Sequence, residues 1–174
     1  MVETFAKRRV SVQLENLAEW LEGLRKEDDL LVGELHVPFL QQKESIEVCF
    51  VGQKRAVTES QQKTLLGYLE QLDTIHQQAV ERIFTDYQAK TDIYREAFEE
   101  WGEDPDEHVP LINSAEDLAP ILLYQSLFIP SWKDVGTFGM GFWAKWEVEH
   151  GVGIKFEGWR LLEAGGNAVH FCFE

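Results

Sequence analysis

The chain has 174 residues, 44 % of them hydrophobic and 12 % aromatic, enough apolar material for one core of ordinary domain size. Its 31 acids face 16 lysines and arginines, a formal charge of −15 at pH 7. That balance repels phosphate backbones and anionic headgroups, which argues against nucleic acid and membranes and favours a partner with a basic surface.

No stretch approaches 18 consecutive apolar residues, and no apolar run of signal-peptide length follows the basic cluster Lys7–Arg9. The expected location is the cytoplasm. Cys49 and Cys172 are far apart in sequence and lie in alternating apolar stretches, so both are expected as reduced, buried thiols in strands. One domain is expected over 1–174, with 1–29 as an N-terminal helical extension and 30–174 as the core.

Leu14, Leu17, Leu21 and Leu24 fall three and four apart beside Trp20, which predicts a short amphipathic helix over 12–27, weakened by Gly23. Residues 30–40 read as a strand, with Pro38 implying an edge or a strand end. Residues 45–52 alternate as a second, with Ile46, Val48 and Phe50 on one face, and QQKE is the expected hairpin turn between them. Thr58 and Gln61 form a capping-box pattern that opens a long helix. Apolar residues recur along it from Leu65 to Tyr87 with the helical period, and the pattern continues to Trp101, with a break expected near 85–90 and an end at Gly102 and Pro105.

Ser114 and Asp117 repeat the capping signal before a short helix, SAEDLAPILLY, limited by Pro120. A strand is expected over 126–130. The last 40 residues read as a β-meander: 138–150, with Met140, Phe142, Ala144 and Trp146 on one face, a tight HGVG turn, then 152–159, 159–166 and 167–174. The predicted fold is α+β, an antiparallel sheet made of the N-terminal hairpin and C-terminal meander, packed against the long central helix and shorter helices.

Two stretches stand out as sites. From Asp86 to Glu107 there are nine acids and two bases, interleaved with Tyr94, Phe98 and Trp101. Carboxylates studded with rings are a recipe for gripping a basic protein, so Asp92, Tyr94, Glu96, Glu99, Glu100, Trp101, Glu103 and Asp104 are the candidate partner-binding residues. Its EEWGEDPDEH portion lacks the acid alternation and central glycine of a calcium loop. The second stretch is the hairpin Trp146, Glu147, Glu149, His150, Gly151 and Gly153, where Glu149 and His150 suggest an acid–base pair, but also loop-bonding side chains beside glycines that permit positive φ. The sequence contains no G-x-S-x-G, Walker A or H-E-x-x-H pattern, so no catalytic residue, cofactor or metal is expected.

This hairpin, with the strand and turn at 161–166 and Phe171, resembles an uncharacterised bacterial domain family that carries a C-terminal W-[DE]-x-E-H-G-x-G hairpin. The closing NAVHF departs from the acidic turn common there. Some members of that family look like immunity proteins of polymorphic toxin systems. The resemblance implies a non-enzymatic antidote that neutralises a basic toxin domain by direct binding. Two other readings stay open: an oligomerising regulatory domain that associates through exposed aromatics of the meander, and a small enzyme using Glu149 and His150.

Overall fold

The computed structural model describes residues 16–52 and 55–174. The described residues form one seven-stranded sheet whose strands lie side by side in chain order: β1 Arg25–Glu27, β2 Leu30–Leu35, β3 Ile46–Val51, β4 Leu122–Pro130, β5 Phe138–Ala144, β6 Val152–Glu157 and β7 Arg160–Gly165. Every neighbouring pair is antiparallel except β3 and β4, which run parallel. A parallel pair needs a long crossover. Here the crossover carries α2 Glu59–Glu70, α3 Leu72–Glu100 and the single turn α4 Pro105–His108 across one face. The α+β architecture expected from sequence is thus present, with one parallel step that patterning alone does not reveal.

The N-terminal helix is shorter than expected. It spans Leu17–Glu22 (α1), and Arg25–Glu27 within the same stretch pair with β2 as an edge strand; Leu14 lies outside the described residues. Trp20 explains the arrangement. Its indole N–H donates to the Glu34 carbonyl at 2.8 Å, and its ring lies over Gly33 and against Phe50. A Cβ on Gly33 would fall 2.6 Å from that ring.

The long helical stretch is interrupted at Gln71, not near 85–90. Through 85–90 the helix is continuous. Thr85 and Thr91 donate their hydroxyls to the carbonyls four residues earlier, at 2.9 and 2.7 Å, and Arg82 pairs with Asp86 one turn on. The capping box at Thr58 forms as expected, and Gln61 does more than cap. Its Oε1 accepts from the Thr58 N–H at 3.0 Å, while its Nε2 donates to the Ile129 and Val51 carbonyls at 2.8 and 3.2 Å. One buried amide therefore ties the start of α2 to the ends of both parallel strands.

Past Pro120 the structure departs from the helix expected there. Only a 3-10 turn, Ala115–Leu118, forms, and Leu122–Pro130 is one nine-residue strand. The bulge in that strand at Tyr124/Ser126 is held by Gln42 from the β2–β3 loop. Its side-chain amide accepts from the Tyr124 N–H at 2.8 Å and donates to the Tyr124 carbonyl at 2.6 Å, replacing a missing strand neighbour. The β2–β3 connection is consequently a ten-residue loop over 36–45, rather than a tight QQKE turn.

The helix-facing side of the sheet holds the core: Val48, Phe50, Leu127, Ile129, Met140, Phe142, Ile154 and Phe156 pack beneath Leu65, Leu69, Ile75, Ala79 and Ile83. Phe138 stacks on Phe156 at 4.8 Å. Tyr68, His76 and Tyr124 form a buried polar chain inside it, with Tyr68 Oη 2.6 Å from His76 Nε2 and 3.0 Å from Tyr124 Oη. Among the described residues no buried side-chain nitrogen or oxygen lacks a partner.

The opposite side is covered by the chain's own end. Residues 167–174, expected as a last strand, form a 3-10 turn, Asn167–His170, and an irregular tail. Glycines on that face permit this: a Cβ on Gly139 would meet the His170 carbonyl at 1.8 Å, and one on Gly153 the Gly166 carbonyl at 2.7 Å. His170 then bonds Ser126 Oγ at 3.2 Å and sits edge-on to Phe128. Cys172 lies in this tail and is exposed, contrary to the expected buried strand position; Cys49 is buried on β3, and both thiols are free. Burial, aided by Glu47 and Glu27, pushes the Cys49 thiol up to about 12.

Candidate functional site

The acidic helix end and the hairpin lie on neighbouring parts of one surface. On α3, Tyr87, Thr91 and Phe98 face the core, which sends Asp92, Glu96, Glu99 and Glu100 outward; all four are exposed. None of them forms an ion pair among the described residues. The tract's two bases do not neutralise this face. Arg95 turns to the α4 segment, where it donates to the Val109 carbonyl at 2.7 Å and pairs with Asp106 at 2.6 Å. Lys90 lines a cleft described below.

The three rings of the tract part company. Phe98 is buried, stacked on His108 at 4.5 Å with near-parallel planes, so it belongs to the core and not to a contact surface. Tyr94 is half-buried in the cleft. Trp101 is 69 % exposed, braced edge-on by Phe98 at 5.3 Å. Ile93, which the apolar pattern counts with the helical stripe, is 66 % exposed among the acids. Its signal was available: it sits on the face opposite the Tyr87–Thr91–Phe98 stripe. Glu103 and Asp104 are exposed; Glu103 approaches His108 at 3.5 Å, and the Asp104 carboxylate caps α4 by accepting the Asp106 N–H at 2.9 Å.

The hairpin is wider than a tight turn. β5 stops at Ala144, and residues 145–151 form a loop that bends back over α3. Trp146 anchors it: it is 5 % exposed and meets Tyr87 edge-on at 4.7 Å. Gly151 takes φ +58°, its N–H donates to the Glu147 carbonyl at 2.7 Å, and a Cβ there would fall 2.8 Å from the Phe142 carbonyl. The His150 carbonyl accepts the Asn167 N–H at 2.6 Å, which joins the loop to the C-terminal turn. These contacts account for Trp146, Gly151 and Gly153 as structural residues.

The Glu149–His150 acid–base pair, one of the two readings of this stretch, is not formed. Glu149 is exposed, and the carboxylate that meets the imidazole is Glu147, with Oε1 3.0 Å from His150 Nδ1. The bend supplies the reason, because residues three apart come together in a helical turn whereas adjacent ones diverge. Burial, together with the nearby Glu147 carboxylate, pushes Tyr94 up to about 12. Asp86, Tyr87, Lys90 and Tyr94 from α3, with Trp146, Glu147 and His150 from the loop, enclose a cleft of about 280 Å³. Asp86 and Lys90 escaped sequence reading as cleft residues, although their i, i+4 spacing with Tyr94 puts them on one row.

Among the described residues there is no group of three or more His, Cys, Asp or Glu side chains able to hold a metal ion, and no helix is long and apolar enough to cross a membrane. Fold and surface together describe an α+β domain with one sheet face under helices, the other under its own C-terminal turn, and an acidic helix end beside a small cleft. The chain belongs to a family described as a domain of unknown function, DUF6985, whose model matches residues 20–171. No curated protein and no solved structure matches it.

Proposed function

We propose that the protein is a non-enzymatic binding domain whose α3 end receives the basic surface of another protein. One observation carries this reading: Ile93 and Trp101 are two-thirds exposed in the midst of Asp92, Glu96, Glu99, Glu100, Glu103 and Asp104, while Arg95 is engaged by the Val109 carbonyl and Asp106. Large apolar side chains held out among exposed carboxylates supply both an anchor and a field, the first for affinity and the second for encounter rate. The resemblance to a bacterial domain family, some members of which look like immunity proteins, makes a toxin domain the partner we favour, neutralised by occlusion.

The test is co-expression with the product of the neighbouring gene, followed by affinity measurement and growth rescue. The expected complex weakens with salt, because rim charges are screened over about 8 Å at physiological ionic strength. Trp101→Ala lowers affinity about 30-fold, the scale of an aromatic hot spot. Glu96→Lys with Glu100→Lys slows association without unfolding the domain. Absence of a complex at low salt and absence of rescue, or a Trp101→Ala variant that binds like the wild type, would overturn the proposal.

A further inference from the structure

The cleft between α3 and the 145–151 loop has no role in the fold that its walls require. Trp146 and Tyr87 are fixed by each other, and the Tyr87 hydroxyl donates away from the cleft to the Pro110 carbonyl at 2.7 Å. Their aromatic edges and the half-buried Tyr94 ring line a space of about 280 Å³. That is smaller than a pocket for a drug-sized ligand and suits a single side chain.

The charges in this space are unequal in kind. Asp86 is already held by Arg82 through both carboxylate oxygens, at 3.1 and 3.2 Å. Glu147 is different. It is about three-quarters buried, its Oε1 lies 3.0 Å from His150 Nδ1 and its carboxylate lies near Tyr94, and it has no Lys or Arg partner among the described residues. That one contact occupies a single site of a carboxylate that has about four acceptor positions, so capacity remains. The single fixed cation in the lining, Lys90, is exposed, and its long stem lets it stay in solvent.

Tyr94 and Trp101 are seven residues apart on α3, hence on nearly the same face and about 10 Å apart along the axis. A protein seated on Trp101 reaches the cleft. We infer that the cleft is a recognition slot for a guanidinium side chain, in which Glu147 accepts a charge-assisted hydrogen bond and Tyr87, Tyr94 and Trp146 supply aromatic surface. This inference rests on the partner reading above and names what the partner must present: an arginine set about 10 Å from the patch that covers Trp101.

The slot is testable without any partner. N-acetyl-L-arginine amide is titrated into the ¹⁵N-labelled protein, with the Trp146 indole N–H and the His150 and Gly151 amides as reporters. Dissociation constants on the order of 1 mM are expected for a ligand of this size. Glu147→Gln should weaken binding about tenfold, since a charged acceptor becomes a neutral one. Lys90→Ala should tighten it about twofold by removing a like charge, and this exposed position keeps the test decisive if Glu147→Gln impairs folding. No shift at these reporters, Glu147→Gln binding as well as wild type, or a stronger response to N-acetyl-L-aspartate amide with loss in Lys90→Ala would each overturn the slot. A partner that still needs Trp101 after such a result leaves the surface proposal standing; a probe that binds where no protein partner does leaves the slot alone.

Discussion

Protonation of one buried imidazole should destabilise the fold in mild acid. His76 sits on α3 inside the core, with Nδ1 3.0 Å from the Pro38 carbonyl and Nε2 2.6 Å from Tyr68 Oη. A carbonyl only accepts, so Nδ1 carries the hydrogen and Nε2 is the acceptor in the neutral ring. Tyr68 therefore donates to His76, and Tyr124 donates to Tyr68: a one-way chain ending on Pro38. A second proton on His76 would leave two donors facing each other unless Tyr68 reverses. Burial, partly offset by the Pro38 bond, lowers the imidazole from an ordinary 6.5 to about 4. The unfolded chain thus binds a proton that the folded one refuses between these values, and stability falls as pH falls through that window. Between pH 7.5 and 4.5 the loss from this one group is about 2.5 kcal/mol.

Urea unfolding at the two pH values measures it. At a typical dependence of about 2 kcal/mol per molar for a domain of this kind, the wild-type midpoint drops by about 1 M on account of His76. His76→Gln isolates the contribution. The amide can accept from Tyr68 and donate to Pro38 but cannot titrate, while exposed carboxylates and His170 contribute equally to both proteins and cancel. The variant should start less stable at pH 7.5 and lose about 2.5 kcal/mol less on acidification. Equal pH dependence in the two proteins, or an imidazole that titrates near 6.5 in the folded state by NMR, would refute the reasoning.

Gln42→Ala removes both partners of the Tyr124 backbone at the β4 bulge and should cost about 1–3 kcal/mol, read as a lower urea midpoint with faster amide exchange at Tyr124. Gln61→Glu keeps the acceptor of the capping box but turns a carboxylate on the Ile129 and Val51 carbonyls; it should lower the thermal midpoint near neutral pH and recover part of the loss in acid, as the carboxyl regains a proton to donate. Gly139→Ala puts a methyl into the His170 backbone, so the 167–172 turn must lift; exchange at the Val169 and Cys172 amides should accelerate while α2 and α3 stay protected.

Sequence patterning reveals what depends on period and caps. The Thr58 box, the apolar stripe from Leu65 to Tyr87 and the alternation of β3, β5 and β6 all concern residues within one turn or one strand of each other. It fails where a distant partner decides. Gln42 stabilises a bulge 82 residues away, Trp20 covers a glycine 13 positions on, and Gly139 reads as a strand weakness until His170 is seen lying on it. At the candidate site, the exposure of Asp92, Glu96, Glu99 and Glu100 follows from helical geometry. The pairing of His150 with Glu147 instead of Glu149 depends on a bend that neither glycine announces by itself.

The two halves of the site differ in what could have produced them by folding requirements alone. Exposed acids on a helix cost little and aid solubility, so their presence there demands no partner. Trp101 is another matter. Leaving an indole two-thirds in water forfeits burial worth on the order of 1–2 kcal/mol, and neither capping nor packing of α3 needs it, because the helix already ends with the Trp101 N–H on the Ala97 carbonyl and Gly102 at φ +77°. Any residue could occupy the position, and a polar one would be cheaper. Glu147 makes a similar case from the opposite direction: a largely buried carboxylate with no Lys or Arg partner among the described residues is a cost that a glutamine would avoid while still bonding His150. Double substitution therefore separates function from fold. Trp101→Ser with Glu147→Gln should leave the thermal midpoint unchanged or raise it, while abolishing partner binding; a midpoint that falls by several degrees would mean that these side chains serve the fold after all.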